Sequence, residues 1–359
     1  MTAPAFGRFF LPGPTDVHPD VLAAMTRPMI GHRSSAMEEL LRGLAPGLGA
    51  LCRTSRPVLI GTTSATGFME MAVRNGVRRR ALSVVNGAFS ERFANLVVAA
   101  GRDCVRLDVS PGCAVEPDML RDALRRTPVD AVTLVHSETS TGVLQDVAAL
   151  AAVVREFDDV LVLVDAVTSL AGSPVEAEAW GLDFTLTGSQ KALALPPGLA
   201  LGVASTRMLE RAKTLHGRGL YFDLVGFEQA TTKFQPTNTP AISLLYALQA
   251  QLGRIAAEGG VEARWARHDA MRQRVEAWSA DHDIQFLPRE GRRSWTVSCL
   301  RLPEGKTAKV VVGALKTQGW TIGSGYGALK ETTIRIGHMG DHSLAALDEL
   351  LELVTRTLS

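Results

Sequence analysis

Between about residues 57 and 205, short and almost wholly apolar runs alternate with longer stretches whose apolar positions recur every three or four residues. Residues 57–61 (PVLIG), 81–86 (ALSVVN), 131–136 (AVTLVH), 160–165 (VLVLVD), 183–187 (DFTLT) and 199–205 read as buried strands. Residues 146–157 (DVAALAAVVREF) stand out among the helical stretches between them. Buried strands separated by helices predict an α/β fold, with a mainly parallel sheet covered by helices on both faces. Such sheets bind ligands just beyond the carboxyl ends of their strands.

After Pro240 the texture changes. Long helical patterns cover 241–257 and 261–281, followed by a strand near 294–300 and a helix near 307–318. A strand near 332–336 and a closing helix at 343–357 complete the chain. That order predicts a smaller α+β unit. The expected division is a large domain over residues 14–250 and a small one over 251–359, with the arm 1–13 packing against the small one. No repeat period and no linker-like stretch interrupts the chain.

Composition narrows the function by exclusion. The 359 residues are 46% hydrophobic, and 38 Lys+Arg stand against 37 Asp+Glu. A net charge of +1 offers no long-range attraction to nucleic acid or to an anionic membrane. The cysteines Cys52, Cys104, Cys113 and Cys299 form no CxxC pair, so neither a zinc site nor a disulfide framework is expected. The first residues lack the basic-then-apolar pattern of a signal peptide, and no apolar run is long enough to span a membrane. A cytoplasmic protein without metal is the expectation.

The candidate chemistry lies at strand ends. The first long strand runs into Thr62-Thr63-Ser64-Ala65-Thr66-Gly67 and then a helical pattern. Small hydroxyl residues opening a helix present free N–H groups to a phosphate, although alone they read first as an ordinary N-cap. Asp165 ends the apolar run VLVLVD, and a buried carboxylate needs a partner or it neutralises. Lys191 follows the next strand, between Gly188-Ser189 and the apolar run ALALPPGLA. Apolar surroundings lower an amine's pKa and make it nucleophilic, whereas a plain Asp–Lys ion pair is the simpler alternative. A reactive lysine, a strand-end carboxylate and a phosphate seat match pyridoxal phosphate, although Schiff-base lysines also occur without it. No GxGxxG or GxxxxGK[ST] follows any strand, which disfavours dinucleotide and P-loop chemistry.

Five stretches in order resemble class V aminotransferases: FLPGPT (10–15), HSETSTGV (136–143), VDAVTSL (164–170), GSQKAL (188–193) and RIGHMG (335–340). The branch they resemble holds the serine–pyruvate, alanine–glyoxylate and archaeal-type phosphoserine aminotransferases. The resemblance implies a fold-type I pyridoxal phosphate enzyme, a homodimer with active sites shared between subunits. It implies Lys191 as the Schiff-base lysine, Asp165 as the partner of the pyridinium nitrogen and Phe89 as the aromatic stacked on the ring. Ser64, Ala65, Thr66 and Gln190 match phosphate-binding positions, Thr139 a hydroxyl near the ring 3-oxygen, and Val167 a further cofactor contact. Asn238 and Thr239, in QPTNTP, match a segment lent by the other subunit to the phosphate, with Gln235 where many relatives carry tyrosine. Arg335 matches the arginine that grips the substrate α-carboxylate, with Gly13 on the same side.

The implied reaction moves an amino group between a small amino acid (alanine or serine type) and a glyoxylate- or pyruvate-type 2-oxo acid. A second reading uses His32 and Arg33 to bind a second anion, as in phosphoserine, aspartate or glutamate transamination. Its counterpart has Arg33 simply pairing with Glu38 or Glu39. A third, a pyridoxal phosphate lyase such as a desulfurase, wants a thiol on a loop ahead of Arg335, and Gly323–Gly327 contains none. His136 reads as a hydrogen-bonding post at a strand end. His18, His216, His268, His282 and the Arg78–Arg80 cluster read as solvated or structural.

Overall fold

The computed structural model describes residues 6–358. An arm with the two-residue strand β1 (Phe9–Phe10) leads to α1 (Pro19–Ala24) and α2 (Ser35–Cys52). Strand and helix then alternate through β2 (Leu59–Gly61), α3 (Ala65–Gly76), β3 (Arg80–Val85), α4 (Ala88–Ala99), β4 (Asp103–Asp108), α5 (Pro117–Arg126) and β5 (Ala131–Val135). A hairpin of β6 (Ser137–Glu138) and β7 (Val143–Leu144) precedes α6 (Val147–Val154). Then come β8 (Leu161–Asp165), β9 (Phe184–Gly188), β10 (Ala200–Ala204) and the helices α7 (Thr206–Thr214), α8 (Leu224–Thr232), α9 (Ile242–Glu258) and α10 (Val261–Asp281). The C-terminal part is β11 (Ser298–Arg301), α11 (Ala308–Thr317), β12 (Thr321–Ser324), β13 (Thr333–Ile336) and α12 (Leu344–Leu358).

The large sheet has the order β2-β10-β9-β8-β5-β3-β4. Only β10 runs antiparallel to its neighbours, so the expected parallel α/β sheet is present with one reversed strand. Side chains from β5, β8 and β9 are buried throughout, which is why their sequences are nearly continuous in apolar residues. Leu44 and Leu48 of α2 pack with Leu245 and Leu248 of α9 in one core. Phe68 and Met71 of α3 pack with Phe184 and Met208 in another, while Leu120, Leu150 and Val162 anchor a third beneath α5 and α6. Each such fully buried side chain contributes roughly 1.5–3 kcal/mol.

A four-stranded sheet, β1-β12-β13-β11, supports the C-terminal part with α11 and α12. Pairing of β1 with β12 puts the N-terminal arm in this smaller sheet. Residue 250 falls inside α9, a helix that stays on the large core, and α10 passes from that core (Trp265) to the small one (Met271, Val275).

Five strands were absent from the sequence reading, among them the two-residue hairpin strands β6 and β7. β4 is an edge strand of alternating charge (DCVRLD) with three exposed positions, so it lacks the apolar run that marks the others. β1 and β12 are two and four residues long, too short for a period to show.

Candidate active site

The carboxyl ends of the parallel strands converge on Lys191. Asp165 is the last residue of β8, only 2% exposed, and its Oδ1 accepts a 2.7 Å bond from the Val167 N–H. Lys191 lies just past β9, 6% exposed, and donates to the carbonyl of Pro12. Gly13 makes this approach possible. A Cβ there would stand 2.5 Å from the Lys191 stem, and its φ of +101° suits glycine. Burial pushes the Lys191 amine down to about 7, with the Arg335 charge adding to the shift. Burial likewise pushes the Asp165 carboxyl up to about 7. An amine near 7 keeps a large unprotonated fraction at neutral pH, the state a nucleophile or base requires.

The ring of Phe89, the second residue of α4, lies 5.6 Å from Lys191 Nζ. Thr139 meets Thr168 hydroxyl to hydroxyl. Arg335, on β13, donates to the carbonyls of Ser324 (2.8 Å) and Thr139 (3.1 Å) and lies 5.8 Å from the Tyr326 ring. It forms no ion pair among the described residues, although it is half-buried and burial depresses its pKa. A half-buried guanidinium without a carboxylate partner is a ready seat for one from outside the chain.

At the edge of this cluster, Ser64 is the N-cap residue of α3, but its hydroxyl makes no capping bond. The amides of Ala65 and Thr66 open the helix, where N–H groups have no intrahelical acceptor. Gly188 brings Gln190 alongside them, since a Cβ there would meet Gln190 Oε1 at 2.6 Å and Ala65 Cβ at 3.2 Å. The expected phosphate seat is thus a contiguous set of uncommitted donors.

Asn238 and Thr239 are exposed on the connection between α8 and α9, and the Asn238 amide donates to its neighbour Thr237. Their strand of chain is tied to Thr62, whose hydroxyl accepts from the Ala241 N–H. Arg33 is exposed, and its expected pairing with Glu38 or Glu39 is not formed. Glu38 accepts instead from Gln235 Nε2 at 3.2 Å. His136 is the hydrogen-bonding post expected. Its Nδ1 meets Ser169 Oγ at 2.9 Å, and burial holds it down near 4, so it stays neutral.

The profile of the family described as Aminotransferase class-V matches residues 61–334, well over half of the chain. This chain belongs to the class-V aminotransferase family. An uncharacterised aminotransferase of Methanocaldococcus jannaschii is 36% identical over 336 residues, 92% of this chain and 87% of that protein. The structure of an aspartate aminotransferase from Thermus thermophilus superposes with a TM-score of 0.90 at 34% identity, over 98% of this chain and 99% of that one. That of an alanine–glyoxylate aminotransferase from Nostoc sp. gives 0.93 at 29% identity, over 100% of this chain and 97% of that one. The architecture is the fold-type I aminotransferase fold.

Several residues around this cluster escaped the sequence reading. Glu138 is fully buried, and the first turn of α4 bonds to it. Tyr326 stands 6.1 Å from Phe89 and beside Arg335. Arg264, in a helix far along the chain, donates to the carbonyl of Ala192 next to Lys191 and pairs with Asp341 at 2.8 Å. Glu138 alone had a visible signal, as the one charge in a run of small polar residues (HSETSTG). His268 proves structural. Its Nδ1 donates to Arg264 O, and its Nε2 accepts from the Gly340 N–H at 3.0 Å.

Proposed function

We propose that this aminotransferase is pyridoxal phosphate-dependent and moves an amino group between a small amino acid of the alanine or serine type and a glyoxylate- or pyruvate-type 2-oxo acid. The observation that carries the reading is the half-buried Arg335, with no carboxylate partner, set in the same cluster as the depressed Lys191 amine and Asp165. The residues fit the cofactor. Ser64, Ala65, Thr66 and Gln190 offer uncommitted donors for its phosphate, Phe89 a flat face, Thr139 and Val167 flanking contacts, and Asp165 a carboxylate for the ring nitrogen. When bound, pyridoxal phosphate supplies an aldehyde that captures amines and a ring that accepts electron density. With the cofactor bound, Asp165 would hold a proton at the ring nitrogen, and Lys191 would anchor the group and move a proton at the substrate Cα. Arg335 orients the α-carboxylate with its planar fork.

We further infer an obligate homodimer in which Asn238 and Thr239 of one subunit reach the phosphate seat of the other, consistent with their exposure here. Two units follow the two sheets, the arm going with the smaller. No helix among the described residues is long and apolar enough to cross a membrane.

A second reading, a dianionic donor held by His32 and Arg33, draws support from the exposed Arg33, which forms no ion pair among the described residues, and from the likeness to an aspartate aminotransferase. The cysteine opposite Arg335 does not serve the desulfurase reading. Cys299, across the strand from Arg335, is buried, and burial pushes it up to about 11. Half-reactions followed by cofactor absorbance, on alanine, serine, aspartate and glutamate with wild type and Arg33→Ala, separate the two readings. Alanine or serine should convert the cofactor fastest, with Arg33→Ala changing them less than about twofold. A roughly tenfold selective loss on aspartate or glutamate would instead favour the second anion site.

The two shifted groups also dictate a pH signature in cofactor-free protein. Unfolded, Asp165 releases its proton near 3.8, but the fold keeps it to about 7, so stability falls as pH rises across that window. Lys191 acts in the other direction. Between about 7 and 10.5 the unfolded chain holds a proton that the fold has released, so stability rises with pH there. The Tm of wild type minus that of a Lys191→Met/Asp165→Asn double variant should therefore pass through a minimum near pH 7. A difference that stays flat from pH 5 to 9 would show that neither group is shifted.

A further inference from the structure

The Glu138 carboxyl group is 0% exposed, and hydrogen-bond donors rather than an ion pair among the described residues meet it. Its Oε2 accepts from the Ser90 N–H at 2.9 Å, the Ser90 hydroxyl at 3.0 Å and the Phe89 N–H at 3.2 Å. Its Oε1 accepts from the Ser140 hydroxyl at 2.6 Å and the Ser140 N–H at 3.1 Å. The Ser140 hydroxyl in turn accepts from the Ala88 N–H at 3.0 Å. The first three N–H groups of α4, orphans by the nature of a helix start, therefore end on Glu138 or on the serine it holds. A full negative charge there also meets the positive end of the helix. Gly87 leaves room for this plug, since a Cβ at that position would stand 2.5 Å from the Glu138 carboxyl carbon and from Ser140 Oγ.

The same three residues reach the opposite side of the site. Between Glu138 and Ser140, Thr139 offers its carbonyl to Arg335 at 3.1 Å and its hydroxyl to Thr168. One tripeptide thus holds both the helix turn that bears Phe89 and the guanidinium of Arg335. We propose that Glu138 is a positioning residue that sets the Phe89 ring against the cofactor and, through the Thr139 carbonyl, fixes the spacing between that ring and Arg335. The proposal rests on the reading of Phe89 and Arg335 given above. An ordinary helix cap would stabilise α4 as well, but its loss would lower the melting temperature without acting through Phe89.

The test is a double-mutant cycle on the full chain with Glu138→Gln, an isosteric change that places an amide N–H₂ among five donors. Cofactor Kd is measured by titrating stripped protein with pyridoxal phosphate, alongside the visible circular dichroism of the bound cofactor. Glu138→Gln alone should raise Kd by about tenfold and weaken the dichroic band. In a Phe89→Ala background the same change should move Kd less than about twofold, because the ring it positions is gone. Equal losses in both backgrounds would reduce Glu138 to a general stabiliser and overturn the proposal. Should Phe89→Ala by itself leave Kd and dichroism unchanged, the reading of Phe89 fails, and the positioning role fails with it. If Glu138→Gln does not fold, Ser140→Ala removes one donor to the carboxylate and the acceptor for Ala88. It should show the same dependence on Phe89 at about threefold.

Discussion

Lys191→Ala is expected to lower kcat for every amino donor by about 10³-fold or more, with the fold intact. Proton transfer by a positioned side chain is worth roughly 10²–10⁴-fold, and on the proposed reading the variant also loses the amine that anchors the cofactor. Stability should not suffer. The amine is buried and pushed down to about 7, so it is a group the fold tolerates rather than depends upon. It meets the Pro12 carbonyl and the face of Phe89, neither of which is left as a buried charge. Borohydride reduction of wild type, followed by peptide mapping, should find the cofactor on the peptide containing Lys191. A label on any other lysine, or a Lys191→Ala protein within tenfold of wild-type kcat, would remove Lys191 from the centre of the site.

Arg335→Gln should cost about 10²-fold in kcat/KM, expressed mainly in KM. A hydrogen bond to a charged group is worth about 1.5–3 kcal/mol, and a bidentate carboxylate contact involves two of them. Arg335→Lys keeps the charge but loses the planar fork, so it should fall between wild type and Gln. The loss should be similar for alanine, serine and glutamate, because each presents the same α-carboxylate. Little change in melting temperature is expected, since Arg335 has no ion-pair partner to strand and its bonds run to the Ser324 and Thr139 carbonyls. A loss confined to dianionic donors would mean that Arg335 grips the distal group and that the α-carboxylate is held elsewhere.

Much of this molecule was legible in one dimension because the relevant physics is local. A strand buried on both faces must be apolar along its length, so β5, β8 and β9 announce themselves. The parallel order of the sheet follows from strands that alternate with helices. Lys191 and Asp165 were visible because each closes or follows an apolar run, where a charge is costly without a task. What the sequence could not carry is pairing between distant segments. β1 is a strand only because Phe9 and Phe10 find Thr321 and Ile322 alongside, and β4 is one because β3 offers it a free edge. Glu138 stood out in the sequence as a lone charge among small polar residues, but its partner, the N-terminus of α4, came only with the fold. The tertiary structure also decided which cations stay unpaired. Arg264 is neutralised by Asp341 at 2.8 Å, whereas Arg335 donates to backbone carbonyls and forms no ion pair among the described residues. The reason is the same in each case. Apolar burial is written residue by residue along the chain, whereas the partner of a polar group is chosen by the packing of elements far apart in sequence.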